Sequence, residues 1–189
     1  MKNYYCEKCE NLQNVTVEKM TRTFNVKGVN IKASIYIYKC VTCGEEVWDE
    51  ENEKKNEKIV FSAYRLKMHL LQPEEIKKIR KMYNLSQSLF SKLLGFGAKT
   101  ITRYENGSIQ DISHDNLIRL LESSDNLIKL WENRKDFLTD QEKEIMKKIL
   151  PTSNKRKYKT SYIPSITYTT KLKCNDNSLY YEGDLKYAN

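Results

Sequence analysis

The first regular pattern along the chain is a two-residue alternation. Val15-Thr-Val-Glu-Lys-Met20 alternates apolar and polar positions, and Val29-Asn-Ile-Lys-Ala-Ser-Ile-Tyr-Ile-Tyr38 is dense in β-branched and aromatic residues. With Lys27-Gly28 between them, the two runs predict a β-hairpin. The pattern then changes. After a charge run from Glu50 to Asn56, apolar residues recur from Lys58 onward at Ile59, Val60, Ala63, Tyr64, Leu66, Met68, Leu70 and Leu71, as on one side of a helix. Leu71-Gln72-Pro73-Glu74-Glu75 ends that helix and opens the next, because proline and acidic residues suit a helix first turn. A domain boundary is expected near residue 71.

Beyond it the period stays helical. Ile76, Ile79 and Met82 define one short amphipathic helix, closed by Asn84. Ser86 is placed to cap a second helix carrying Leu89, Phe90, Leu93 and Leu94, and Gly95 suits a left-handed C-cap. A third short helix is expected from Gly97 to Glu105, stopped by Asn106-Gly107. Two short helices joined through Gly95-Phe-Gly97 have the spacing of a helix-turn-helix. Leu117, Leu120, Leu121, Leu127, Ile128, Leu130 and Trp131 mark further helical faces. Thr139-Asp-Gln-Glu142 reads as a capping box opening a last helix that Pro151 ends. The fold class predicted is α+β: a small N-terminal β-hairpin domain (1–71), an all-α domain (72–150) and a C-terminal extension (151–189).

Composition narrows the class. The 189 residues leave room for one ordinary domain or two small ones and exclude a large multidomain enzyme. No run approaches a membrane span and the N-terminus lacks a signal-peptide core, which points to the cytoplasm. The net charge of +8 favours a polyanionic partner, nucleic acid first. Half of that excess falls in 151–189, where Asn154-Lys-Arg-Lys-Tyr-Lys-Thr precedes a Tyr-, Ile- and Thr-rich stretch from Tyr162 to Leu172. This extension either orders on a partner or along DNA phosphates, or is a plain surface extension.

The cysteines carry the sharpest chemistry. Cys6-Glu-Lys-Cys9 and Cys40-Val-Thr-Cys43 are two C-x-x-C knuckles thirty residues apart, and together they supply the four thiolates of a tetrahedral zinc shell. Gly44 follows the second pair, where the chain must turn tightly past the ion. Iron fits the same shell, and four merely buried or reactive cysteines are the bland alternative. With all four positions filled by protein, the ion is structural, no catalysis is expected, and its loss should unfold the N-terminal module. Cys174 stands alone as a free thiol. His69 and His114 lie apart from any ligand cluster and read as structural.

In a helix-turn-helix the second helix enters the major groove. Ile101 and Tyr104 are expected to face inward, while Lys99 and Arg103, four residues apart, share an outer face beside Thr100 and Thr102. Arg suits bidentate contact with guanine, and Lys can reach guanine or phosphate. Gln87, opening the preceding helix, is placed for a phosphate or an adenine edge. The alternative is that Lys99 and Arg103 only solvate an exposed face. The surplus apolar helices suggest a homodimer, which would read a palindromic operator in double-stranded DNA.

The order Cys-x-x-Cys, hairpin, Cys-x-x-Cys, helix, helix-turn-helix resembles the MqsA-type (YgiT-type) zinc-finger antitoxins over roughly residues 1 to 135. Within it LSQSLFSKLLGFGAKTITRYENG (85–107) resembles the family's Xre-like DNA-binding domain. The resemblance implies that the zinc domain binds a small ribonuclease toxin and that the helical domain dimerises and represses its own operon. Arg103 matches the family's base-reading Arg, but Lys99 stands where an Asn is usual, so the operator should differ. Phe90 replaces a customary small Ala, which implies a looser helix packing angle, and the extension has no counterpart in short members. The expected function is therefore a non-enzymatic type II antitoxin and autorepressor. The rivals are a stand-alone zinc-containing regulator of phage or mobile-element origin and, more weakly, an iron-containing electron carrier.

Overall fold

The computed structural model describes residues 3–150, and they fall into two compact units, one running through Lys67 and one starting at Met68. The expectations for Cys174 and for the 151–189 extension lie outside the described residues.

The first unit is built on a long hairpin. Strands β1 (Tyr4–Cys6) and β2 (Asn11–Gln13) pair with each other, and β3 (Val15–Val26), β4 (Val29–Cys40) and β5 (Glu46–Val47) form a second antiparallel sheet in that order. The β3–β4 register runs unbroken from Val26↔Val29 to Val15↔Cys40. At its tip Lys27 and Gly28 both adopt positive φ (48° and 80°), as the two central residues of a tight hairpin turn must. β3 extends past the alternating segment to Val26, because Thr21, Thr23 and Asn25 face outward between Met20, Arg22, Phe24 and Val26.

Helix α1 (Glu50–Lys67) packs along β4. It covers Val26, Ile31, Ala33, Ile35 and Ile37 with Val60 and Tyr64, all buried. The helix starts eight residues before the apolar stripe because Asp49 accepts the Asn52 amide at 2.9 Å, and because Asn52 and Asn56 face inward. These two asparagines serve the backbone of Tyr36. The Tyr36 amide donates to Asn56 Oδ1 (3.0 Å), and its carbonyl accepts from Asn52 Nδ2 (2.8 Å) and Asn56 Nδ2 (2.7 Å). β5 pairs only with Tyr38 and Lys39, so beyond them the free edge of β4 is satisfied by side chains instead of a strand.

The second unit holds α2 (Pro73–Met82), α3 (Gln87–Leu94), α4 (Thr100–Glu105), α5 (Ile112–Leu120), α6 (Ser124–Arg134), a 3-10 turn (Lys135–Phe137) and α7 (Asp140–Ile149). Pro73 sits in the first turn of α2, Ser86 Oγ accepts the Leu89 amide, and Thr139 and Glu142 exchange both capping bonds. One core joins Ile76 and Ile79, Leu89, Phe90, Leu93 and Leu94, Ile101 and Tyr104, Ile118, Leu127, Trp131 and Met146. Phe90 is completely buried within it. Buried Asp115 fixes the entry to this unit. It accepts from the Leu71 amide (2.8 Å), Gln110 Nε2 (2.9 Å) and Arg119 Nε (2.7 Å), while Arg119 also holds the His69 carbonyl (2.8 Å).

Replacing Asn56 by Ala leaves the part-buried Tyr36 amide without its acceptor. The first unit should lose about 1 to 3 kcal/mol in urea denaturation, with the fastest hydrogen exchange appearing at Tyr36.

Candidate metal centre and nucleic-acid interface

The hairpin register delivers Cys40 to the end of β4, directly opposite Val15. Past it the Gly44 amide donates to the Cys40 carbonyl (2.9 Å), the Cys40 amide to the Glu45 carbonyl (2.9 Å), and the Val41 amide to the Asn14 carbonyl (3.1 Å). The second knuckle is thereby locked to the sheet. β1 brings Cys6 and the following turn brings Cys9 to the same place. The four Sγ atoms lie within 4.8 Å of one another, with Cys6–Cys43 at 3.5 Å and Cys9–Cys40 at 3.9 Å.

Four thiolates about 2.3 Å from one tetrahedral ion are separated by about 3.8 Å. The four sulfurs are thus gathered close enough to hold one metal ion. Backbone amides favour thiolate character at one of the four: hydrogen bonding from the Cys43 amide, aided by Thr42, outweighs burial and pushes the Cys40 thiol down to about 6. The Cys9 thiol is pushed up to about 12, chiefly by its hydrogen bond with Cys43 and by burial. The four thiols share their protons as one set, and Cys40 is the first to supply the negative charge that a soft cation seeks.

In the second unit Gly95 adopts the left-handed conformation (φ 73°) that closes α3, where a Cβ would also collide with the Arg134 guanidinium. The Thr100 amide then closes a turn on the Gly97 carbonyl (2.9 Å). That turn uses the residues through Lys99, so α4 begins at Thr100, three residues later than the glycine spacing suggests, and Lys99 becomes its N-cap.

Lys99 and Arg103 are both exposed. Ile101 and Tyr104 are buried beneath them, and so is Thr100, at 8% exposure, because it lies one helical turn from Tyr104. Thr102 and Gln87 are half-buried and joined: Thr102 Oγ1 donates to Gln87 Oε1 (2.9 Å), and Gln87 Nε2 donates to Glu105 Oε2 (2.8 Å).

The sequence reading missed what anchors this chain of bonds. Arg80 of α2 makes a bidentate pair with Glu105 of α4, Nε–Oε1 at 2.6 Å and Nη2–Oε2 at 2.8 Å, and its Nη1 also donates to the Leu85 carbonyl (2.7 Å). Both side chains are nearly inaccessible, at 6% and 4%. A signal was present in the spacing. Arg80 follows Ile76 by four residues and Glu105 follows Ile101 by four, so each charge stands on an apolar helix face.

His114 also has a packing role. Its Nδ1 hydrogen-bonds the Tyr104 hydroxyl (2.7 Å) and its ring stacks on Phe96 at 3.8 Å, so it ties the turn and α4 to α5.

A four-thiol centre in one unit and a helix-turn-helix in the next define a class of two-part regulators. The family described as the antitoxin component of bacterial toxin–antitoxin systems, MqsA, matches residues 1–133. Among curated proteins, Antitoxin MqsA of Escherichia coli (strain K12) is 29% identical over 119 residues, covering 61% of this chain and 88% of its own. The chain belongs to the MqsA antitoxin family.

Burial raises and Arg80, with Gln87, lowers the proton affinity of the Glu105 carboxyl, and the net displacement is downward from 4.5. A carboxyl with a depressed folded-state pKa stabilises the fold above its unfolded pKa. That stability is lost as pH falls from about 4.5 through the lower folded value. Arg80→Ala should cost the second unit about 3 to 5 kcal/mol at pH 7, because it strands a buried carboxylate. The cost should shrink in denaturation curves taken below that range, where Glu105 is neutral.

Proposed function

We propose that this protein is a type II antitoxin that neutralises a partner toxin by direct binding and represses its own operon through sequence-specific DNA binding. The observation that carries the reading is the pairing, in one MqsA-family chain, of a four-thiol centre with a helix-turn-helix whose second helix keeps Lys99 and Arg103 exposed.

The metal is zinc, held by Cys6, Cys9, Cys40 and Cys43. A complete shell of four thiolates leaves no open coordination position, so the ion's contribution is structural. The partner is a small protein toxin, a ribonuclease by family likeness. The protein acts without catalysis and in the cytoplasm; no helix among the described residues is long and apolar enough to cross a membrane.

On DNA, Arg103 reads a guanine edge and Lys99, at the N-terminal end of the recognition helix, takes a base or phosphate. Gln87 and Thr102, bonded to each other, hold the rim of that surface, with Gln87 reaching a phosphate or adenine edge. Thr100 packs below it. Ile112, Leu117 and Leu120 are exposed apolar residues of α5, at 61%, 41% and 55%, and they support a homodimer on a palindromic operator.

Arg103→Ala should lower affinity for the protein's own promoter DNA by about 1 to 3 kcal/mol relative to unrelated DNA, measured by fluorescence anisotropy at fixed salt, with metal content unchanged. Retained preference for the promoter sequence would remove Arg103 from base reading.

A further inference from the structure

Among the described residues of the first unit, buried side chains gather in two places. One lies between β4 and α1 and is entirely ordinary: Ile31, Ala33, Ile35 and Ile37 against Val60 and Tyr64. The other consists of Cys6, Cys40 and Val47, with Tyr4, Cys9, Val15, Tyr38 and Cys43 packed around them. Half of the second cluster is thiol. Its thiols meet across the two knuckles, Cys6 to Cys43 and Cys9 to Cys40, so an ion held among them ties one knuckle to the other.

The backbone connections divide along the same line. The hairpin has its continuous twelve-residue register, and α1 satisfies the Tyr36 backbone through Asn52 and Asn56. The second knuckle is bonded to Asn14, Glu45 and β5. By contrast β1 and β2 are three residues each and pair only with each other, and the turn between them is closed by one long bond, Glu10 amide to Glu7 carbonyl at 3.4 Å.

Residues 4–13 are further tied to the sheet by Tyr4, which packs beside Val15, Tyr38 and Val47 around the thiols, and by the contact of β1 with β5. The Lys8–Glu45 ion pair (3.4 Å) and the Thr42–Gln13 hydrogen bond (2.7 Å) are exposed, and Tyr4 meets Tyr38 edge-on at 5.0 Å. The two exposed polar contacts contribute little.

We infer that the metal acts locally, fastening residues 4–13 onto a hairpin–helix platform that is folded without it. The inference rests on reading the four thiols as a metal centre. It narrows the dependence that the cysteine spacing alone suggests, in which the whole module unfolds. It also has a consequence for recognition. Tyr5 and Leu12 face each other across the β1–β2 pair, exposed at 57% and 58%, so this apolar pair is presented only in the metal-loaded state.

The test is hydrogen exchange of the full-length protein under reducing conditions, zinc-loaded, after chelation, and after zinc is restored. Amides of residues 4–13 should exchange faster by more than about tenfold on chelation, while those of 16–38 and α1 change by less than about twofold. Restored zinc should reverse the effect. Cys9→Ser, which removes a ligand from the weakly held half, should reproduce the chelated pattern.

Loss of protection throughout 16–38 and α1 would overturn the inference, as would full protection of residues 4–13 after the ion has gone. Metal analysis of the starting protein separates the two levels. A protein that binds no stoichiometric zinc and ignores both chelator and added zinc would overturn the metal-centre reading together with the inference.

Discussion

The helical unit turns on one interaction, the bidentate pair between Arg80 and Glu105. Removing two charges from water is costly, and the pair survives because every strong polar group around it is used: the remaining Arg80 nitrogen holds the Leu85 carbonyl, and Glu105 also receives Gln87. Through Gln87 the order passes to Thr102, on the helix that carries Arg103. A hydrophobic pair could hold α2 against α4 equally well, but it would not fix the amide of Gln87 or the hydroxyl of Thr102. The buried charges thus set the orientation of the surface proposed to meet DNA.

The N-terminal unit solves a different problem. A hairpin alone is marginal in water, and this one is longer than most. α1 supplies the missing layer, with apolar side chains over one face of β4 and two asparagines along its open edge. The thiol cluster sits at the other end of the same strands, with its own small set of apolar neighbours. The apolar packing against α1 and the four thiols therefore occupy different residues of one unit.

Much of this was legible in the sequence because it rests on local pattern. The hairpin, with its Lys27-Gly28 turn, follows from strand periodicity. The caps at Ser86, Gly95 and Thr139 follow from residue chemistry, and the C-x-x-C spacing announces four thiols that the fold then brings together. What escaped is polar and buried. Asn52 and Asn56 read as part of a charge run, yet they bond to a strand sixteen to twenty residues away. Arg80, Glu105 and Asp115 drew no reading from the helical pattern, yet each meets partners that only the tertiary fold supplies. Thr100 is the smaller case: four residues before inward-facing Tyr104, it shares that buried face wherever α4 begins.

The proposed antitoxin serves two partners with one chain, a toxin through its N-terminal half and an operator through its helical half. Affinity purification of the protein from its native cells, in salt high enough to strip DNA, addresses this directly, since phosphate contacts weaken steeply with ionic strength while a packed protein interface persists. One small protein should co-purify in stoichiometric amount, arrest growth when expressed alone and be silenced when this chain is expressed with it. Recovery of the chain without such a partner would contradict the antitoxin reading and leave a regulator that acts on DNA by itself.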